Sequence, residues 1–291
     1  MKRGKFLWSG LLLILLASCG APKLVTNGKT DAATFETAGN YAQAVDSWTN
    51  YFTDVPVEEV AGNEFAHAAK TAFQAGNLAK AKAWFDQARY KNYSDAEMYE
   101  TLAKIYKEED NLSKELSALE SYIEKYGTTN TDVNARMFAV YSEIDSNEKA
   151  LEMWAKMSVE AKNTEDALLN YLKANKSVEN TVVCDSASNA ILELNPENIT
   201  ALEWNAKKYY WAGQNRYKRE MDKYNQKKTT KTYNVLLKEL DLVTADFKRA
   251  LPYLNKLWEI EPGKEYAGYL ANIYALFGDE KKTNYYKNYR K

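Results

Sequence analysis

The chain is poor in the side chains that carry most enzyme and metal chemistry. Among 291 residues it has one histidine, His67, and two cysteines, Cys19 and Cys184. After residue 18 it also lacks a glycine-rich nucleotide-binding loop, a zinc-ligand spacing and a nucleophile elbow. His67 could act as a base with Glu64 on the same helix, but a lone histidine is more often a surface or groove residue. The sequence therefore predicts no enzyme activity, no metal and no cofactor.

Turn-forming and strongly charged segments are also scarce. Five prolines and twelve glycines leave little room for long irregular loops, and a hydrophobic fraction of 45% is enough for a large core. The 22 tyrosines and 7 tryptophans suit both helix packing and exposed binding surfaces. Basic residues number 39 and acidic residues 40, and residues 1–18 contain three of the basic ones and none of the acidic. Without that segment the net charge is −4, which argues against nucleic acid as a partner.

Residues 1–18 are typical of a processing signal. Three basic residues precede an apolar stretch, residues 6–17, that is too short to span a membrane comfortably. The stretch ends in Leu16-Ala17-Ser18-Cys19, which resembles the motif cut by the bacterial lipoprotein signal peptidase. The resemblance implies that Cys19 becomes the first mature residue and carries acyl chains such as palmitate. Residues 19–29 are then expected to form a flexible tether. With Cys19 lipidated, Cys184 has no disulfide partner, and we expect it to be a buried, inert thiol.

A repeat runs through residues 30–291. Turn signals recur at intervals of 37, 34 and 35 residues, starting at Gly39-Asn40-Tyr41, Gly76-Asn77-Leu78, Asp110-Asn111-Leu112 and Asp145-Ser146-Asn147. Small and aromatic residues follow at matching offsets, as Ala81 and Phe85 follow Gly76. Further units end at Asn195-Pro196 and Glu261-Pro262, and a last one turns at Gly278-Asp279. The first unit is short, with Gly28 where an apolar residue is expected.

These spacings resemble the tetratricopeptide repeat. The resemblance implies an all-α solenoid of about six to seven helical hairpins, wound as a right-handed superhelix, in which each hairpin packs on its neighbours. It also implies that the first helices line a groove. The groove positions map onto Lys70, Phe73, Glu100, Lys104, Lys107, Lys173, Glu203, Lys207 and Tyr210. Four of these lysines (Lys70, Lys104, Lys173 and Lys207) share one repeat position, which suggests a basic ladder for an acidic peptide or a C-terminal carboxylate.

The sixth unit is interrupted. Its turn is expected at Gly213, yet the repeat pattern resumes only near Phe247. Residues 214–245 contain no proline or glycine and keep a helical period, so we expect both helices to lengthen into a projecting arm that turns near residues 227–232. Pro252 is expected to kink the second helix. The first half of the arm carries seven basic residues: Arg216, Lys218, Arg219, Lys223, Lys227, Lys228 and Lys231.

Two classes of function fit this organisation. The favoured one is a lipid-anchored scaffold of the bacterial envelope that binds proteins or peptides through the groove and the arm. We expect it on the periplasmic face of the outer membrane. The rival is a surface lipoprotein that binds glycan or another nutrient for an outer-membrane uptake system. For that role Trp204 and Trp211 could stack on sugar, although we expect both in the core. A third hypothesis is that the basic half of the arm contacts anionic lipid or cell-wall polymer.

Overall fold

The computed structural model describes residues 28–290. Over this range the chain forms fifteen α-helices and no β-strand. The helices are α1 Gly28–Thr37, α2 Tyr41–Asp54, α3 Gly62–Gln74, α4 Leu78–Tyr90, α5 Ala96–Glu108, α6 Leu112–Tyr126, α7 Thr131–Glu143, α8 Asn147–Lys156, α9 Val159–Lys162, α10 Glu165–Ser177, α11 Thr181–Leu194, α12 Ile199–Gln226, α13 Thr230–Ile260, α14 Lys264–Leu276 and α15 Glu280–Arg290. None of these helices is both long and apolar enough to cross a membrane. The expected signal segment, Cys19 and most of the tether lie outside the described residues.

The end of the expected tether is helical. Helix α1 starts at Gly28, so the last two residues of the expected tether, 28 and 29, are helical. Gly28 is buried, and a Cβ there would lie 2.9 Å from the Ser47 carbonyl oxygen and 3.1 Å from the Tyr51 Cβ. The glycine therefore lets α1 approach α2 closely, and an apolar side chain at this position would not fit. Lys29 adds an ion pair with Glu64 of α3.

Six of the seven turns between paired helices share one backbone conformation. In these turns a residue with positive φ follows the first helix: Gly39, Gly76, Asp110, Asp145, Glu179 or Gly278. The left-handed conformation reverses the chain at little steric cost for glycine and at some cost for other residues. An asparagine follows in several turns and caps the next helix; the Asn77, Asn111 and Asn180 side chains each accept a hydrogen bond from a backbone N–H three residues later. This pairing of a left-handed residue with an N-cap produces the 34-residue period.

The helices group into two compact units, residues 28–105 and 106–290 of the described chain. In the first unit α1 pairs with α2 and α3 with α4, and α2 packs on α3. Ala32, Trp48 and Ala68 form a buried cluster there, closed over by Tyr51, Phe52 and Trp84. Small residues at the helix crossings let large aromatic rings fill the remaining space.

The second unit continues the pattern over α6 to α15. The position five residues after each turn is buried, as at Ala150 and Cys184, both 0% exposed. Burial of Cys184 agrees with the expectation from its repeat position, and burial raises the pKa of its thiol. A larger cluster around Phe247, Leu254 and Leu270 joins α12, α13 and α14.

The sixth pair is elongated, as the insertion predicts. Helix α12 does not turn at Gly213 but continues to Gln226, and α13 begins at Thr230 after the turn 227–229. Beyond Gly213 the arm adds about 20 Å of helix at 1.5 Å per residue. Gly213 is buried against the Phe247 ring, where a Cβ would meet Cε1 at 2.9 Å. Helix α13 runs without interruption through Pro252, so the proline does not end it.

Candidate functional site

A cavity of about 510 Å³ opens between the first helices of the fifth and sixth pairs. Helix α10 contributes side chains spaced three and four residues apart, and α12 contributes a second row at the same spacing, so each helix presents one face to the cavity. The lining residues are Leu169, Leu172, Lys173 and Lys176 of α10, with Thr200, Glu203, Trp204, Lys207, Lys208 and Trp211 of α12. The whole cavity lies in the second compact unit.

Two indoles form the wall on the α12 side. Trp204 is partly buried against the core, and its Nε1 donates a hydrogen bond of 2.9 Å to Asp185 Oδ1. Trp211 is 47% exposed. Its ring centroid lies 5.2 Å from that of Tyr210 and 6.3 Å from that of Tyr269, in edge-to-face contacts that fix its orientation. The expectation that both tryptophans are core residues is therefore wrong for Trp211, which presents an apolar surface to solvent.

Most lysines around the cavity are already paired with carboxylates. Lys173 Nζ lies 2.7 Å from Asp145 Oδ1, and Lys208 Nζ lies 2.6 Å from Asp185 Oδ2. Lys207 Nζ lies 3.2 Å from Glu203 Oε2 and 3.3 Å from Glu265 Oε1. Lys176 is exposed and, within residues 28–290, makes no ion pair. The cavity is thus lined by compensated charges, with one ammonium left over for an incoming anion.

Glu203 is held in its ionised form at the cavity edge. Its partial burial disfavours the charge, but hydrogen bonds from Tyr266 and Lys207 outweigh that effect, and the pKa of Glu203 is lowered. The Tyr266 hydroxyl donates to Glu203 Oε1 at 2.6 Å. Burial and the neighbouring Glu203 in turn raise the pKa of Tyr266 above its usual range. The network fixes Lys207 in place and makes this edge of the cavity rigid.

The structure brings together three of the residues predicted for the groove, Lys173, Glu203 and Lys207. Tyr210 was also predicted there, but it is only 3% exposed and lies in the core, where its hydroxyl accepts a hydrogen bond of 2.8 Å from Asn272. Its position on α12 points toward α14 rather than into the cavity. The mapping missed Lys208 as a groove residue, although the three- and four-residue spacing from Thr200 would have included it.

The other predicted groove residues lie on α3 and α5. Lys70 is half-buried and bonded to Glu97 Oε2 at 2.6 Å. Burial opposes its charge, but the carboxylates of Glu97 and Asp95 outweigh burial and raise the pKa of Lys70. Lys104 and Lys107 are exposed, whereas Phe73 and Glu100 are half-buried. Three of the four lysines of the expected ladder are therefore engaged in ion pairs, and the row is less basic than the sequence suggests.

His67 takes part in a hydrogen-bonded network around Glu36. The Glu36 carboxylate accepts from Trp48 Nε1 at 2.8 Å and from the Thr71 hydroxyl at 2.5 Å, and it lies 2.8 Å from His67 Nε2. Burial opposes the charge of Glu36, but these hydrogen bonds lower its pKa. Glu64, considered as a partner of His67, instead pairs with Lys29 and Tyr51. The groups are mutually satisfied, and no group of three or more residues suited to metal binding occurs among residues 28–290.

The predicted basic residues of the arm fall into two groups. Three have carboxylate partners: Arg216 with Glu239 and Asp246, and Arg219 and Lys223 with Glu220. The remaining four are exposed and, in the described chain, make no ion pair: Lys218, Lys227, Lys228 and Lys231. Glu220 is 5% exposed, so its two cationic partners balance a buried charge. Only the second group is available to a ligand.

Similar folds occur among solved structures, and some of these are described as tetratricopeptide-repeat proteins. A candidate protein-binding protein from Bacteroides ovatus matches at a TM-score of 0.51 and 15% identity, covering 75% of this chain and 99% of its own. The C-terminal part of a TPR repeat-containing protein from Cytophaga hutchinsonii matches at a TM-score of 0.47 and 14% identity, covering 89% and 92%. A tetratricopeptide repeat protein from Parabacteroides merdae matches at a TM-score of 0.47 and 13% identity, covering 91% of this chain and 91% of its own. No protein-family model and no curated protein matches the chain. The predicted tetratricopeptide-type helical-hairpin fold is confirmed.

Proposed function

We propose that this protein is a binding scaffold whose cavity between α10 and α12 receives an extended segment of a partner protein. The observation that carries the proposal is the cavity itself, with a leucine floor, the exposed Trp211 wall and a free ammonium at Lys176. An apolar pocket with a few placed polar groups is the usual form of a ligand site. Nothing in the cavity is arranged for bond chemistry, so the role is binding.

The physical properties of the lining define the ligand. An aliphatic or aromatic side chain can enter the cavity and remove the exposed surfaces of Leu169 and Trp211 from water. A carboxylate beside it, from an acidic residue or a chain end, can pair with Lys176. Exposed ion pairs are worth only about 0–1 kcal/mol, so the apolar contact supplies affinity while the charge fixes orientation. A paired lysine such as Lys173 can exchange Asp145 for a ligand carboxylate.

The test measures binding of peptides to a chain that starts at residue 20 and retains every helix described above. Peptides that place an aromatic or aliphatic residue beside a carboxylate are expected to bind. Trp211→Ser is expected to weaken that binding about thirtyfold, because exposed tryptophans at binding sites often contribute about 2 kcal/mol. Lys176→Glu is expected to weaken it less, and chiefly for acidic peptides. Isothermal titration calorimetry on the best peptide gives both values.

Matched controls exist on the same molecule. Tyr90 is 81% exposed and does not line the cavity, so Tyr90→Ser should leave the affinity unchanged. Lys156→Glu reverses an exposed lysine of α8 and matches Lys176→Glu in charge. If Trp211→Ser and Tyr90→Ser bind peptides equally well, the cavity is not the site.

The cellular setting we propose is the bacterial envelope, with acyl chains on Cys19 anchoring the scaffold to the outer membrane. The support is the motif Leu16-Ala17-Ser18-Cys19 after a basic and apolar segment. Two or more acyl chains hold a protein firmly at a bilayer. Mass spectrometry of the amino-terminal peptide is expected to find a lipid on Cys19, and Cys19→Ala is expected to release the protein from the membrane fraction. An unlipidated amino terminus would refute the anchor and leave the cavity proposal intact.

The exposure of Trp211 also favours a second candidate, a glycan ligand for an uptake system. Sugar rings stack on exposed indoles, and the lysines and Glu203 around the cavity offer hydrogen-bonding groups. Titration with neutral oligosaccharides separates the candidates. Saturable oligosaccharide binding that Trp211→Ser abolishes, with no peptide binding, would replace the protein partner by a glycan.

A further inference from the structure

The distal end of the arm carries a concentrated positive charge. We call residues 223–238, which close the hairpin between α12 and α13, the arm end. It contains five lysines and no acidic residue: Lys223, Lys227, Lys228, Lys231 and Lys238. Acidic residues resume only at Asp222 on one side and Glu239 on the other. The local charge is opposite to the slight negative charge of the whole chain.

Four of the five charges at the arm end have no carboxylate partner within residues 28–290, whereas the fifth and the arginines nearer the core are paired inside the arm. Lys223 shares the Glu220 carboxylate with Arg219. The other four lysines of the arm end are exposed, and within residues 28–290 they make no ion pair. The arginines of the arm, which have the planar fork that recognises a single phosphate, have carboxylate partners within the hairpin. The groups that face solvent are lysine ammonium ions, which are compact charges on flexible stems. Such charges suit a diffuse anionic surface better than one bound anion.

Apolar side chains lie between these lysines on one face of α13. Lys231, Val235, Lys238 and Leu242 follow each other at steps of four, three and four residues, which places them on one stripe. Val235 is 49% exposed and Leu242 47%. Tyr233 and Leu237, which are 46% and 44% exposed, lie four residues apart on the opposite side of α13, and the Tyr233 ring is 5.9 Å from that of Tyr224 across the turn. The stripe itself therefore combines positive charge with exposed aliphatic surface.

We propose that the arm end docks on the surface of a bilayer containing anionic phospholipids. Lysine ammonium groups gain from the negative surface potential, and their methylene stems can lie along the apolar boundary while the charges reach the headgroups. Val235 and Leu242 would then enter the headgroup region from a rigid, two-helix support. A nucleic acid would draw on the lysines but leave these aliphatic side chains in water.

The experiment measures vesicle binding of the chain starting at residue 20, which has no acyl group and keeps every helix. Vesicles of phosphatidylglycerol and phosphatidylethanolamine are compared with vesicles of phosphatidylcholine alone by cosedimentation. The protein is expected to sediment with the anionic vesicles only. Raising the salt from about 0.1 M to 1 M, which shortens the Debye length from about 10 to 3 Å, should release it. A variant with four lysines of the arm end changed should have a partition coefficient lower by about tenfold or more, since each lysine contributes binding free energy at the anionic surface. The four changes are Lys227→Gln, Lys228→Gln, Lys231→Gln and Lys238→Gln.

A charge-matched control separates the arm end from general electrostatics. The same unit has exposed lysines outside the arm end that make no ion pair in the described chain. Four of them serve as the control: Lys156, Lys248, Lys281 and Lys287. Changing these four to Gln removes the same charge and should leave vesicle binding nearly unchanged. Val235→Ser with Leu242→Ser should weaken binding while leaving its salt dependence in place. Circular dichroism should be the same for all variants, because none of the altered side chains is buried.

Three results would overturn the proposal. Equal loss of binding in the two lysine variants would make the effect one of net charge alone. Failure of the unaltered protein to bind anionic vesicles would remove the site. Release by soluble inorganic phosphate at constant ionic strength would identify a small-anion site in place of a bilayer surface. None of these outcomes depends on the cavity between α10 and α12, so the two proposals can fail separately.

Discussion

Glu115 is a charged residue at a position that small residues occupy in neighbouring helix pairs. It lies five residues after its turn, where the next two pairs have Ala150 and Cys184, and it is 1% exposed. Arg136 of α7 meets it with two hydrogen bonds, Nε at 2.5 Å and Nη2 at 2.8 Å. The bidentate geometry compensates the buried carboxylate, and Glu115 raises the pKa of Arg136. The third pair therefore uses an ion pair where its neighbours use close packing.

Removing one partner of this pair should be more costly than removing both. Glu115→Ala leaves Arg136 partly buried with only Glu143 as a partner, at 3.1 Å. We expect a loss of about 2–4 kcal/mol in the free energy of unfolding, since an uncompensated charge remains in the interior. The double variant with Arg136→Leu should recover most of that loss. Urea denaturation measures both; equal stability of the single variant and the unaltered protein would contradict this role.

Residues at the turns show what a sequence can and cannot predict at this scale. Glycines at 39 and 76 and aspartates at 110 and 145 are frequent in left-handed turns, and they marked the repeat. Glu179 occupies the same conformation with φ of 56°. Glutamate has no special preference for it, so the fifth turn gave no signal, although it lies 34 residues after Asp145. The tertiary packing of α10 on α11 supplies the constraint that the local sequence lacks.

At the scale of elements, Gly213 shows that a glycine at a repeat position can lie inside a helix instead of forming a turn. It lies 34 residues after Glu179, where the repeat predicts a turn, but it sits inside α12. Its partner is the Phe247 ring, 34 residues further along the chain, and that contact could not be predicted from local sequence. The absence of proline and glycine over residues 214–245 did predict two long helices. The helical period can be read from neighbouring residues in the sequence. The packing that requires glycine at position 213 depends on a side chain that is distant in the sequence.

The groove illustrates the same limit. The three- and four-residue spacing placed Lys173, Glu203 and Lys207 correctly on helix faces that share a cavity. It could not show that Asp145, in the turn before α8, and Glu265, in α14, already neutralise two of those lysines. Charge compensation depends on which elements become neighbours in space. Here the groove is therefore not a row of free basic groups. It is an apolar cavity with an indole wall and one free ammonium group.

At the scale of the molecule, residues 106–290 present two surfaces of different chemistry. The cavity between α10 and α12 is concave, apolar and charge-compensated, and it suits a side chain of a partner. The arm end is exposed, basic and partly aliphatic, and it suits a bilayer surface. A scaffold with both surfaces, as we propose, would hold a partner segment close to a membrane.

The central claim is that the cavity binds a segment of a protein, and site-specific photocrosslinking in native cells tests it most directly. A photoreactive amino acid replaces Thr200, an exposed residue at the cavity rim, and in a second strain Val182, which is 77% exposed on α11. We predict a protein adduct from position 200, mapped by mass spectrometry to an extended segment with an apolar residue beside a carboxylate. That adduct should disappear with Trp211→Ser and be absent from position 182. No protein adduct at position 200, or the same adducts at both positions, would contradict the account.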